Sequence, residues 1–315
     1  MDSDSEKRQV VMLLKIGSRV YRADKKSSRL DPKRSLIAAI RARAKDRPAR
    51  PRKIAPLQFP RNAETTYARD ITSYVTIAIE LVRKRLMPSL DRIFAASASF
   101  LKGDRADDYA EIISEIFGGI EIEFEKRTKR SARKAARGVA GRVANTSQRE
   151  LGRYVKSLIG VDVVQSEPWL APFAELFIES NVGLIKSIPD RLFGEVRSMV
   201  EEAAVTGRRP EAFAKDIEER FGVSESRSKL LARDQVGKYN GQLTAARQQR
   251  LGIRSFIWRT SQDERVRESH RIKEGERYEW QDPPHDTGMP GADYSCRCTA
   301  SPVLDDLADE NPLGE

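Results

Sequence analysis

Residues 258–298 read WRTSQDERVRESHRIKEGERYEWQDPPHDTGMPGADYSCRC, and they hold both cysteines of the chain, Cys296 and Cys298, and both histidines, His270 and His285. The apolar pattern changes just ahead of this stretch. Before Gly252 the apolar residues recur at three and four, as on helices. After it, IRSFIWRTS (253–261) has the aromatic and apolar density of a short strand. ERYEW (276–280) reads as a second strand with Tyr278 and Trp280 on one face, and CRCTASPVL (296–304) as a third. Pro283, Pro284, Pro290 and Gly291 make the loop between them. The fold class that follows is mainly α: a helical body with a small α+β domain at its C-terminal side.

Within the stretch, Asp263 is placed to cap a helix of about two turns, Glu264 to His270. Asp263, Arg267 and His270 then fall at i, i+4 and i+7, on one face. His270, His285, Cys296 and Cys298 are four soft or borderline donors, the number and kind that zinc takes. Cys-x-Cys is closer than the usual two to four residues between zinc thiolates. It is also a poor disulfide, because the ring it closes is strained. The other reading keeps both thiols as small buried apolar groups and gives His270 a carbonyl partner. Both readings stand at this point.

Catalytic signatures are absent from the sequence. There is no Gly-x-Ser-x-Gly, no phosphate-binding Gly-rich loop, no His-Glu-x-x-His, and nothing around either cysteine that marks a hydrolase. Asp263, Asp282, Asp286 and Asp293 are too loosely spaced for a two-metal site and read as loop and cap residues. The expectation is a protein that is not an enzyme.

Upstream, Ile71, Val75, Ile79 and Val82 form one helical face, ended or kinked by Pro88. A second helix covers about 107–124, with Tyr109, Ile112, Ile113, Ile116 and Phe117 inward and Gly118-Gly119 as a break. A basic, Ala-rich helix follows. Its charges read as a phosphate-binding surface or, preferably, as a solvated face pairing with acidic neighbours such as Glu121, Glu123 and Glu125. Pro189 fits a first helical turn, Gly207 a stop, Pro210 to Gly222 a short helix, and Ser224 the cap of a long one ending before Gly252.

Of the 57 Lys and Arg, 17 lie in residues 1–60 against 6 acidic residues, so the arm carries the whole net charge of +10 and the remainder is nearly neutral. RARAKDRPARPRK (41–53) is rich in Arg and Pro with no apolar period, hence extended. Arg41, Arg43, Lys45, Arg47, Arg50, Arg52 and Lys53 are candidates for contact with nucleic-acid phosphates, and an acidic protein partner fits them equally. No run is apolar enough to span a membrane. Val10 to Leu14 is too short for a signal segment, which leads to the expectation of a cytoplasmic protein. The organisation read from these signals is a basic arm (1–60), a helical region (61–205), helices leading into the module (206–252) and the α+β domain (253–315).

One family shares this order of motifs. LLARDQ (230–235) with Leu231, Ala232 and Arg233, then Asn240, Gly252 ahead of Trp258, Asp263, Arg265, Val266, Arg267, His270, Gly275, Pro290-Gly291, Cys296-Arg297-Cys298 and Pro302-Val303 resemble the C-terminal domain of the phage Mu F-like minor head proteins, or phage head morphogenesis proteins. The resemblance covers about residues 225–305. Some relatives carry a second Cys pair where this chain has Arg267 and His270, and some a His just before the Cys-Arg-Cys.

The resemblance implies a structural protein of the assembling virion. It would be associated with the portal protein and the inner capsid surface, present first in the host cytoplasm and then in the head. Double-stranded DNA would be met through the basic arm. Two alternatives are a zinc-containing nucleic-acid-binding protein outside any virion and a toxin-like enzyme carrying this module. No spare catalytic domain supports the last.

Overall fold

Apolar residues at helical spacing build most of the chain. The computed structural model describes residues 13–16, 19–21, 54–101, 107–159, 162–164, 167–206 and 210–304. The candidate phosphate contacts Arg41, Arg43, Lys45, Arg47, Arg50, Arg52 and Lys53 lie outside the described residues. Contacts divide the chain into two units: residues 62–140 with 175–235, and residues 1–61 with 141–174 and 236–315. No described helix is long and apolar enough to cross a membrane.

The first unit is helical. Helix α1 (Arg61–Arg85) buries the predicted face of Ile71, Val75, Ile79 and Val82 and stops ahead of a 3-10 turn, Met87–Ser89, that contains Pro88. Helix α2 (Leu90–Leu101) and α3 (Asp107–Thr128) follow. Helix α3 buries Ile112, Ile113 and Phe117, and it runs through Gly118-Gly119 without a break. Two adjacent glycines raise the cost of helix but do not outweigh burial of Phe117, Ile120 and Phe124. Phe124 packs edge-on to Tyr74 (5.0 Å) and Phe193 (5.4 Å).

Three longer helices continue the chain: α4 (Ser131–Ile159), α5 (Leu170–Thr206) and α6 (Pro210–Arg250). Two expectations are corrected here. Pro189 lies inside α5, not in its first turn. Ile185, Ile188, Leu192, Phe193 and Val196 are buried on either side of it, and that packing carries the helix past one missing hydrogen bond. Likewise α6 passes through Gly222, and Ser224 is no cap. Its hydroxyl donates back to the Arg220 carbonyl (3.3 Å) inside the helix, as Ser228 does to Ser224 (3.0 Å). Phe213, Ile217 and Phe221 hold that segment in the core. Helix α5 is described as far as Thr206, and Gly207 lies outside the described residues.

Some charges of α4 follow the solvated-face reading. Arg133 pairs with Glu175 and, at 2.5 Å, with Glu179. A buried polar chain also crosses this unit. The Tyr67 hydroxyl donates to Asn181 (2.7 Å), Asn181 to Gln235 (3.3 Å) and Gln235 to Asp234 (3.0 Å).

The second unit contains two three-stranded sheets among the described residues. Strands β1 (Leu13–Ile16), β2 (Arg19–Tyr21) and β3 (Asp162–Val164) form one antiparallel sheet in the order β2-β1-β3. Sequence reading placed no strand within the arm. The expected strands of the C-terminal domain are β4 (Ser255–Arg259), β5 (Arg277–Glu279) and β6 (Thr299–Pro302), antiparallel in the order β5-β4-β6. Trp258 pairs with Ala300 and Phe256 with Tyr278. Their core joins Ala245, Phe256, Trp258, Trp280, Cys296, Cys298 and Ala300.

Gln248, fully buried, fastens the end of α6 to this sheet. Its amide donates to the Ala300 carbonyl (2.8 Å) and accepts from the Trp280 indole (3.2 Å). The neighbouring Arg247 is just as buried and makes a forked pair with Glu167 (2.6 and 2.7 Å) and a bond to the Ala144 carbonyl (3.1 Å). Residues ahead of α1 are strapped to the same unit. Arg153 donates to the Ala55 and Pro56 carbonyls, and Thr299 to the Leu57 carbonyl (3.0 Å).

Candidate metal centre

The chain turn that brings His270 inward is not the predicted helix. Asp263 accepts from the Arg265 amide (3.2 Å) and closes a turn with the Val266 amide (3.2 Å). Arg267 is extended (φ −63°, ψ 150°), so the helix starts only afterwards, as the single turn α7 (Glu268–Arg271). Asp263 therefore caps a tight turn rather than a helix. Its carboxylate faces Arg61 (4.0 Å) and Arg297 (3.9 Å), not Arg267. The extended residue at 267 breaks the i, i+4, i+7 register on which the earlier expectation rests.

Arg267 instead reaches the cysteine loop, with one guanidinium nitrogen on Asp293 (2.8 Å) and another on the Tyr294 carbonyl (2.8 Å). Arg265 remains exposed. Gly275, at φ +84°, ends the turn after α7 and donates to the Trp258 carbonyl (2.9 Å), which returns the chain to the sheet.

His270, Cys296 and Cys298 come together, all three buried, with their donor atoms within 4.8 Å of one another. Nδ1 of His270 lies 3.4 Å from Cys298 Sγ and 3.5 Å from Cys296 Sγ. A tetrahedral zinc with bonds of about 2.3 Å to sulfur and about 2.0 Å to nitrogen sets a nitrogen–sulfur edge of about 3.5 Å. Both nitrogen–sulfur distances match that edge. His285 does not join them; it is exposed on the Pro-rich loop.

The proton inventory fits the same donor set. Cys296 is pulled well below the usual thiol range, first by the Cys298 thiol that donates to it, against burial, and then by His270 and the Cys298 and Gly291 amides. Cys298 is pushed up, by donating to Cys296, by burial and by the neighbouring negative charge. The Trp258 indole acts the other way on Cys298, favouring its thiolate. His270 is raised, chiefly by its bond to Cys296, with Asp293 adding to it against burial. Two cysteine sulfurs and one imidazole share a buried pocket that a cation would complete by displacing protons.

The loop is pressed onto α6 through glycines. A Cβ at Gly237 would stand 2.4 Å from the Cys296 carbonyl oxygen, and one at Gly241 2.3 Å from that of Pro290. Pro290 and Gly291 are buried against this seam, and Gly291 takes φ +92°. Ser295 sits at φ +53° just ahead of Cys296, a conformation uncommon for residues other than glycine. Sequence reading missed the seam. Its signal was GKYNG (237–241), two glycines one turn apart inside a helix. It also took Asp293 for a plain loop residue, because nothing in the sequence links it to His270.

The family model described as Phage Mu protein F like protein matches residues 194–301, a span that takes in the glycine seam, the sheet and the three donors. This is a Mu F-like region. The chain is also 31% identical over 265 residues, 83% of its length, to an uncharacterized protein of Haemophilus influenzae. It spans 58% of that protein's length. No solved structure matches. In the Mu F-like region, the anticipated motif residues Trp258, Asp263, Arg265, Arg267, Gly275, Pro290 and Gly291 all fall on the sheet, the turns or the loop around the donors.

Proposed function

We propose that the protein is a structural, non-enzymatic component of phage head assembly, acting with the portal protein and the inner capsid surface. The match of residues 194–301 to the Mu F-like family carries this reading. In its support, the three donors of the region are buried and small, which suits a clamp better than a reactive centre open to substrate. The arm, with its 17 basic against 6 acidic residues, supports contact with double-stranded DNA. On this reading the protein is made in the host cytoplasm and ends in the virion.

The clamp is a zinc site. Two thiolates and an imidazole are three of the four ligands a tetrahedral zinc takes, and when bound the ion would hold the cysteine loop onto α7. His270, Cys296 and Cys298 would be its ligands. Zinc links parts of the chain that are otherwise joined by a small core, as it does in other small domains.

The test is genetic. A phage or prophage lacking this gene is complemented with the wild type, with Cys296→Ser, or with a chain lacking residues 1–60. Filled heads are counted by electron microscopy, and portal protein is sought in co-purified material. The expectation is few filled heads without the gene and partial rescue by the armless chain. Normal numbers of filled heads without the gene would overturn the assembly role.

A further inference from the structure

Two groups stand behind the three donors, one on each side. Nε2 of His270 lies 3.0 Å from Asp293 Oδ2. Asp293 is itself held in place: Oδ1 accepts from the Tyr294 amide (2.6 Å), and Oδ2 also accepts from Arg267 (2.8 Å). With its oxygens so committed, Asp293 is a partner of the imidazole and not a fourth ligand. An imidazole whose Nε2–H donates to a carboxylate keeps the lone pair on Nδ1, and Nδ1 is the atom that faces both sulfurs.

On the other side is Trp258. Its ring is fully buried, edge-on to the His270 ring (5.5 Å, 85°). Its indole N–H has no hydrogen-bond partner among the described residues. A buried indole N–H usually has a partner. Trp258 and Cys298 pack in one buried cluster, and a metal-bound thiolate keeps lone pairs that can accept.

We propose that Asp293, braced by Arg267, and Trp258 are the positioning residues of the metal centre. Asp293 fixes His270 in the tautomer that ligates through Nδ1, and Trp258 donates its indole N–H to the Cys298 thiolate. This rests on the zinc reading above and adds which groups set the affinity and the electronic character of the site. Outer partners of this kind commonly change metal affinity by about 10–100-fold.

The test uses the full chain with cobalt as a spectroscopic probe and zinc in competition. Wild type should show thiolate-to-cobalt charge-transfer absorption that zinc abolishes. Asp293→Ala should weaken zinc binding by about 10–100-fold. Asp293→Asn, which keeps an oxygen for the Nε2–H, should recover part of that loss. The chelated forms of wild type and Asp293→Asn should melt alike, which a purely structural role for the carboxylate would not give. Trp258→Phe keeps the ring and removes the donor, so the charge-transfer band should move to lower energy. If wild type takes up neither cobalt nor zinc, the zinc reading itself falls. If wild type binds but Asp293→Asn and Trp258→Phe match it in affinity and band position, the zinc reading stands and the positioning role is overturned. Should Asp293→Ala fail to fold, the other two variants decide.

Discussion

A Cβ on Gly237 would come within 2.4 Å of the Cys296 carbonyl oxygen, so the helix that precedes the sheet touches the cysteine loop backbone to backbone. Any side chain there must push the loop away. Gly237→Ala should destabilise by about 1–3 kcal/mol, the usual range for overpacking, and weaken zinc retention at the same time. Gly222→Ala is the control, since nothing lies within 4 Å of its Cβ. It should stabilise by about 0.5–1 kcal/mol through helix propensity. Urea melts of the two variants beside wild type check both signs.

On the zinc reading, chelation should be felt as loss of folding free energy. Protein purified without added metal is expected to carry about one zinc per chain, and a chelator should lower its Tm. Cys296→Ser and Cys298→Ser should each lose the metal, whereas His285→Ala should keep it, because His285 is exposed away from the donors. Elemental analysis after desalting measures all four.

Asp263→Ala should be mild. Its carboxylate caps one turn and faces Arg61 and Arg297 at 4.0 and 3.9 Å, contacts of the kind worth about 0–1 kcal/mol. A loss of several kcal/mol in chemical denaturation would show that Asp263 does more than close this turn.

The buried pair of Arg247 and Glu167 should behave oppositely when broken and when replaced. Glu167→Ala strands a guanidinium that is only 1% exposed and should cost about 3–5 kcal/mol. Arg247→Met with Glu167→Leu removes both charges and should recover most of that loss. Equal destabilisation by the single and the double change, read from urea midpoints, would count against the desolvation argument.

Stability should fall in acid partly through Glu274. Burial raises its pKa, but the Thr260 amide and hydroxyl and Arg259 outweigh that and hold it below the ordinary carboxylate value. Its folded pKa is depressed, so its contribution is full above the unfolded value near about 4.3 and fades as pH drops through the folded one. Glu274→Gln should flatten the acid limb of the stability curve below about pH 4.5 and leave the neutral region lower by a constant amount.

Local pattern made most of the helices and the C-terminal strands legible. Strict three-and-four spacing fixed the buried face of α1, and the switch to aromatic alternation after Gly252 fixed β4, β5 and β6. The sequence also confined the soft donors to one segment, since both cysteines and both histidines lie there. Local signals failed where packing outweighed them. Pro189 read as a helix start, Gly118-Gly119 as a break and Gly222 as an end, yet each sits inside a helix held by buried neighbours, and burial of several large side chains exceeds the cost of one lost hydrogen bond or one glycine. Only the tertiary structure chose His270 over His285, turned Arg267 from Asp263 to Asp293, and set Trp258 beside Cys298. Each of those choices joins residues about 20 to 40 positions apart, through turns at residues 263–267 and 290–296 whose geometry depends on the α6 glycine seam beneath the second of them, and no local periodicity encodes such an approach.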